Sequence, residues 1–156
     1  MLIKDLQNTF SQPGVVSAIS VRPEREIPVK LVAEVMAIEK KGLAGDRSNG
    51  GIRQVTLIQK EHMAVIASLA GLPDVDFRLT RRNILVGGIS LLALKGKIFQ
   101  IGEATMEYTG ECHPCSRMEA AFGTGGYNAM RGHGGITAKV IRGGLIKEGD
   151  IVLVLP

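Results

Sequence analysis

A mostly β fold, a closed or nearly closed barrel with a few short helices on its periphery, is predicted by three features of the 156-residue sequence. Its 20 glycines, many of them in pairs, cut the chain into short pieces rich in Val, Ile and Leu, the pattern of tight turns between strands. Polar and apolar residues alternate in several of these pieces, which places one face of each on a core. Segments with helical spacing are only two, and strands do not alternate with helices as β-α-β units would require.

Strands are expected over residues 15–21, 30–37, 54–58, 83–86, 97–109, 137–141 and 150–155, with the clearest alternation in 97–108 and 137–142. The stretch KEHMAVIASL at 60–69 is expected to be a helix, with apolar Met63, Ile66 and Ala67 and a stop at Ala70-Gly71. Residues 116–122 form the second expected helix, with apolar Met118, Ala121 and Phe122 and a stop at Gly123. The ending GGLIKEGDIVLVLP reads as a Gly-Gly turn, a second turn at Glu148-Gly149-Asp150 and a terminal strand that closes the barrel. With no linker, repeat or low-complexity tract, residues 1–156 are expected to form one domain.

Composition narrows the function classes. The 19 Lys+Arg exceed 15 Asp+Glu by four but are spread along the chain, so no basic run marks a nucleic-acid footprint. Aromatic residues are 4%, too few for platforms that stack bases. No apolar run approaches the roughly 20 residues of a membrane span, and MLIKDLQNTFSQPG lacks the apolar core of a signal peptide. The expected location is the cytoplasm, where thiols stay reduced.

Both cysteines lie in TGECHPCSRM, residues 109–118. A redox dithiol would suit the C-x-x-C spacing, but that motif usually opens a helix in a β-α-β context. Zinc wants four ligands, and Cys112, Cys115 and His133 would need one more group. A single reactive thiolate is the third reading. Pro114 fixes the backbone ahead of Cys115, and the start of the 116–122 helix together with Arg117 favours a thiolate, either as nucleophile or as ligand for a soft metal. Against these stands the plain alternative that both cysteines are small buried hydrophobes.

Other polar groups accompany the thiols. His133 lies in RGHGG, a loop whose bare N–H groups can form an anion nest, although a hairpin needing positive φ explains its glycines equally well. His62, within the first helix, reads as an ordinary surface or core residue. Arg81-Arg82-Asn83 opens a strand, and a guanidinium fork suits phosphate oxygens. Neighbours on a strand point to opposite faces, so at most one arginine is expected to face a given pocket and the other to be solvated, unless the segment is still loop. The glycine-rich GLAGDR segment lacks the Lys-Ser/Thr ending and following helix of a nucleotide P-loop. Arg47, Arg53 and Gln54 nearby are pocket candidates, and Asp46 is a candidate loop brace.

The pieces KGLAGDR, RQVTLIQKEHMAVIA, RRNILVGGISLLAL, GECHPCSRM, RGHGGITAKV and GGLIKEGDIVLV, in this order, resemble the MOSC domain, the C-terminal module of molybdenum cofactor sulfurases, in its small stand-alone bacterial form. The resemblance runs from about Val15 to the end of the chain. It implies a barrel-like β fold with a cysteine that passes sulfur to molybdenum or, as in related amidoxime reductases, ligates the molybdenum of a bound pterin cofactor. Pro114-Cys115 matches that cysteine. Arg81 and Asn83 match an arginine and asparagine near the cofactor phosphate and pterin, although Arg82 stands where the reductases typically carry proline.

The expected site therefore has Cys115, Cys112 and His133 in chemistry, with Cys115 as the metal ligand. Arg81, Asn83, Arg53, Gln54 and Arg117 are expected to hold a molybdenum-pterin cofactor. The chain resembles neither the pyridoxal-dependent desulfurase domain of full sulfurases nor the N-terminal extension of the reductases. Sulfur is thus expected from a partner, a cysteine desulfurase or a molybdoenzyme. A non-enzymatic module that delivers cofactor or sulfur to such a partner is the alternative function, and an inert barrel is a third.

Overall fold

The computed structural model describes residues 1–156. The short helix α1 (Ile3–Leu6) precedes strands β1 (Gly14–Val21), β2 (Lys30–Val32), β3 (Glu34–Ile38), β4 (Gly42–Leu43) and β5 (Val55–Gln59). Helix α2 (Lys60–Ala70) and a 3-10 turn at Phe77–Thr80 lead to β6 (Ile84–Gly87). A second 3-10 turn at Leu92–Leu94 leads to β7 (Ile98–Ile101) and β8 (Ala104–Glu111). Helices α3 (Arg117–Phe122) and α4 (Gly126–Met130) follow, and β9 (Ile136–Arg142), β10 (Gly144–Lys147) and β11 (Ile151–Val154) complete the chain.

Seven strands close a ring in the order β1, β11, β7, β8, β9, β5, β6, with β2 attached to the other half of β1. Closure is made by the terminal strand as expected. Val152 pairs with Gly14 on one side and Ile101 on the other. Register shifts in β1 between Val16 and Ala18, and in β8 beside Tyr108, supply the extra bend a small barrel requires. Strands β10, β3 and β4 form a separate three-stranded sheet.

Alternation fills the barrel. Val16, Ile19, Leu57, Ile84, Phe99, Ile101 and Met106 meet inside it, and their fully buried side chains form its core. A second, smaller core lies outside the ring, where Ile58 and Leu85 of the wall meet Ile66 of α2, Met118 and Phe122 of α3, and Met130 of α4. This double covering explains why every residue of β5 and β6 is buried. It also explains why their sequences are nearly continuous in apolar residues rather than alternating.

Several expectations need correction. β5 and β6 run parallel, with α2 as the crossover between them, so one β-α-β unit is present. It does not carry the cysteines. The expected strand 30–37 divides at Ala33 because its halves serve different sheets: β2 pairs with β1 and β3 with β10. The expected strand 97–109 is a hairpin. Gly102 turns it with φ +56°, and a side chain there would meet the backbone of Leu145. Residues 144–147, between the two expected turns and not expected as a strand, form β10. Gly144 is packed so tightly on the Glu103 carbonyl that a Cβ would not fit. Helices α1 and α4, at four and five residues, are too short to leave a periodic signal.

Candidate functional site

The ends of β1 and β8, the start of β5 and the approach to β6 converge on a cleft of about 370 Å³. Both cysteines are among its lining residues, on the segment that leaves β8 and enters α3. They differ in setting. Cys115 is exposed and Cys112 is buried at 5% exposure, and neither is in a disulfide.

Seven arginines line the same cleft: Arg22, Arg25, Arg47, Arg53, Arg81, Arg82 and Arg117. No carboxylate is among its lining residues. Only two come near. Asp46 is bound to Arg22, and the highly exposed Glu26 reaches Arg117 at 4.0 Å, where solvent screening leaves little attraction. Crowding shows in Arg81. Burial, and after it the charges of Arg117, Arg22 and Arg47, push its pKa below the ordinary arginine value.

Asp46 braces this wall rather than joining the cleft. Its carboxylate accepts from Arg22 N at 2.7 Å, Arg22 Nε at 3.1 Å, Arg22 Nη2 at 2.9 Å, Ser48 N at 3.1 Å and Asn83 Nδ2 at 3.1 Å. Burial alone would raise this carboxyl, but Arg22 and Ser48 outweigh it and hold the pKa below the ordinary 3.8.

Arg81 and Arg82 both reach the cleft, the outcome expected only for a segment that is still loop and not for a strand. Arg81 is not on a strand. It caps the 3-10 turn with left-handed φ of 56°, so the two-residue alternation of a strand does not apply. Arg81 Nη1 donates to the Ile27 carbonyl at 2.7 Å, tying down the segment after β1. Arg82 is 7% exposed, and burial is the leading cause that lowers its pKa.

Two expected cofactor contacts stand behind the cleft instead of lining it. Asn83 is fully buried, donating to Ser20 O and Asp46 and accepting from Thr56 N and Oγ1. Gln54 donates to Gly51 O at 2.8 Å and accepts from Val140 N at 2.9 Å, bracing the loop before β5 against β9. His133 is also outside the lining. Its ring packs edge-on against His62 at 5.0 Å, and its buried Nδ1 has no hydrogen-bond partner. Burial, and then the charge of His133, lower the His62 pKa below 6.5. No group of three or more His, Cys, Asp or Glu side chains is placed to hold a metal ion, which leaves the zinc reading without a ligand set.

Sequence reasoning missed Arg22 and Arg25. They lie in VRPEREIP just past β1, and no spacing connects them to the cysteines.

A family model of the MOSC domain matches residues 44–153. The chain belongs to the MOSC domain family. The MOSC match takes in both cysteines and five of the seven cleft arginines, while Arg22 and Arg25 precede it. MOSC domains are associated with the molybdenum cofactor. Solved structures share this MOSC fold at low identity. The YuaD protein from Bacillus subtilis is 19% identical with a TM-score of 0.78, the match covering 92% of this chain and 96% of that one. YiiM from Geobacillus stearothermophilus is 18% identical with a TM-score of 0.74, covering 92% and 76%. YiiM from Escherichia coli is 20% identical with a TM-score of 0.67, covering 91% and 70%. A search of curated proteins finds no match. No helix is long and apolar enough to cross a membrane.

Proposed function

We propose that the arginine cleft holds the phosphate-bearing pterin of a molybdenum cofactor, with the Cys115 sulfur as the protein's ligand to the metal. The observation that supports this most is seven guanidiniums around one cleft with no lining carboxylate. Such a set leaves positive charge for an anionic guest, and guanidinium forks match phosphate oxygens. The donor set fits the group: hard cations for phosphate and an exposed soft sulfur for the metal. Arg53, Arg81 and Arg117 would hold the anionic part. Asn83, Gln54 and Asp46 brace the wall behind the cleft, through the hydrogen bonds given above. When bound, molybdenum supplies two-electron chemistry, suited to reduction of an N-hydroxylated compound.

The exposure of Cys115 favours a second reading, in which it carries a persulfide sulfur between partner proteins, a cysteine desulfurase as donor and a molybdoenzyme as acceptor. A buried sulfur could not meet either protein. In this role the chain is a delivery module without turnover of its own, and Cys112 and His133 have no assigned step.

Production in a host that makes molybdenum cofactor separates the readings. Bound molybdenum and pterin are measured for the native chain, Cys115→Ser and Arg53→Glu. Loss of metal from Cys115→Ser, with loss of pterin from Arg53→Glu, is expected for the ligand role. Full metal retention in Cys115→Ser rejects it. A mass increase of one sulfur atom on Cys115 after incubation with a desulfurase and cysteine identifies the carrier.

A further inference from the structure

Between Glu111 at the end of β8 and Arg117 at the start of α3, the chain carries both thiols through a stretch with little regular bonding. The Cys112 N–H donates to Gly135 O at 2.8 Å, and the carbonyls of Cys115 and Ser116 accept from the first turn of α3. The only side chain that hydrogen-bonds to this stretch is that of Arg82. Its Nη2 donates to the carbonyls of His113 at 3.2 Å and Cys112 at 3.5 Å. Its Nε donates to Gly134 O at 2.8 Å, and Nη1 to Thr80 O at 3.1 Å.

This arginine has no carboxylate partner, yet it is almost wholly buried. Burying a lone guanidinium is costly unless its donors are satisfied. Four backbone carbonyls from three separate segments do this, and only a planar fork can reach them together. Gly134 completes the packing. A side chain there would overlap the Cys112 carbonyl and lie 3.2 Å from Arg82 Nη2, so the glycine loop, the guanidinium and the cysteine loop are fitted to one another. An apolar side chain would fill the space but leave the four carbonyls without these donors.

We propose that Arg82 is the positioning residue of the cysteine loop: by tying Cys112 and His113 to Gly134 and Thr80, it keeps Cys112 turned inward and Cys115 presented to the cleft. This holds whichever ligand or partner the cleft takes, so it stands apart from the cofactor reading.

Arg82→Met removes the donors, and Arg82→Lys keeps the charge without the fork. With circular dichroism showing a folded barrel, iodoacetamide labelling read by peptide mass mapping should find Cys112 protected in the native chain. In both variants Cys112 should label about tenfold faster, the loss of a few buried hydrogen bonds on a loop that opens locally. The increase should persist unchanged in low urea, because local opening exposes little surface, whereas labelling through global unfolding would climb with urea. Native-level protection of Cys112 in Arg82→Met, or its full restoration by lysine, overturns the proposal. Should the variants not fold, the native chain decides. The Arg82 Nε–H resonance should persist far longer in D₂O than that of exposed Arg78, and equal loss of the two would overturn it.

Discussion

A single carboxylate shows how the cleft keeps its shape. Asp46 has a fully buried side chain and gathers Arg22, Ser48 and Asn83 onto its two oxygens. Because Arg22 and Ser48 outweigh burial and hold its pKa below 3.8 in the fold, the unfolded chain binds the proton more readily. The stability it contributes is complete above 3.8 and is lost as pH falls through the lower, folded value. Asp46→Asn should destabilise the protein by about 3 kcal/mol at neutral pH, since Arg22 is left without its counter-charge. The variant should also show a weaker dependence of urea midpoint on acidification below pH 4, measured by urea unfolding from pH 3 to pH 7. A parallel acid dependence in native and variant would show that Asp46 is not the group responsible.

Elements outside the ring hold the site against the barrel. Helix α2 crosses from β5 to β6 and sends Ile66 and Ala67 into the wall, the only buried residues of its eleven. Ile66 is wholly buried among Ile58, Leu85, Met118, Phe122 and Met130, so α3, which follows the cysteine loop, rests on the same cluster. Ile66→Ala should cost about 2–5 kcal/mol, a cavity substitution in a packed core. Calorimetric melting should show this loss, while exposed Leu69→Ala on the same helix should stay within about 0.5 kcal/mol. Comparable losses at the two positions would mean that α2 is not anchored through Ile66.

Taken whole, the molecule depends on closing a ring between its two ends. Strand β11 fills the gap between β1 and β7, and without it both would be open edges. Its residues alternate, with Val152 fully buried and Leu153 at 43% exposure. Val152→Asp should abolish the folded barrel, a loss of about 4 kcal/mol or more for an unpaired buried carboxylate. Leu153→Asp should change stability by only about 0.5 kcal/mol. Urea unfolding followed by circular dichroism checks both, and a folded Val152→Asp would show that closure is dispensable. Since that closure joins residues near 14 and 152, refolding should take milliseconds to seconds, as for other folds built on distant pairings.

Local chemistry in the sequence was enough for the barrel. Apolar alternation at 137–142, the helical spacing of 60–69, the glycine punctuation and the closing strand at 150–155 each follow from which face a residue turns to its neighbours. The cysteine motif was legible too, because two thiols three positions apart are visible without any fold. What the tertiary structure alone decided is the company those thiols keep. Arg22, Arg53, Arg82 and Arg117 are far apart in the chain, and only a ring that places the start of β5 and β6 beside the ends of β1 and β8 gathers them. The burial of Arg82, and the withdrawal of Asn83, Gln54 and His133 from the cleft, were decided there as well. Which polar groups face a guest and which brace the wall depends on hydrogen-bond partners from distant segments, and pattern along a chain carries no record of them.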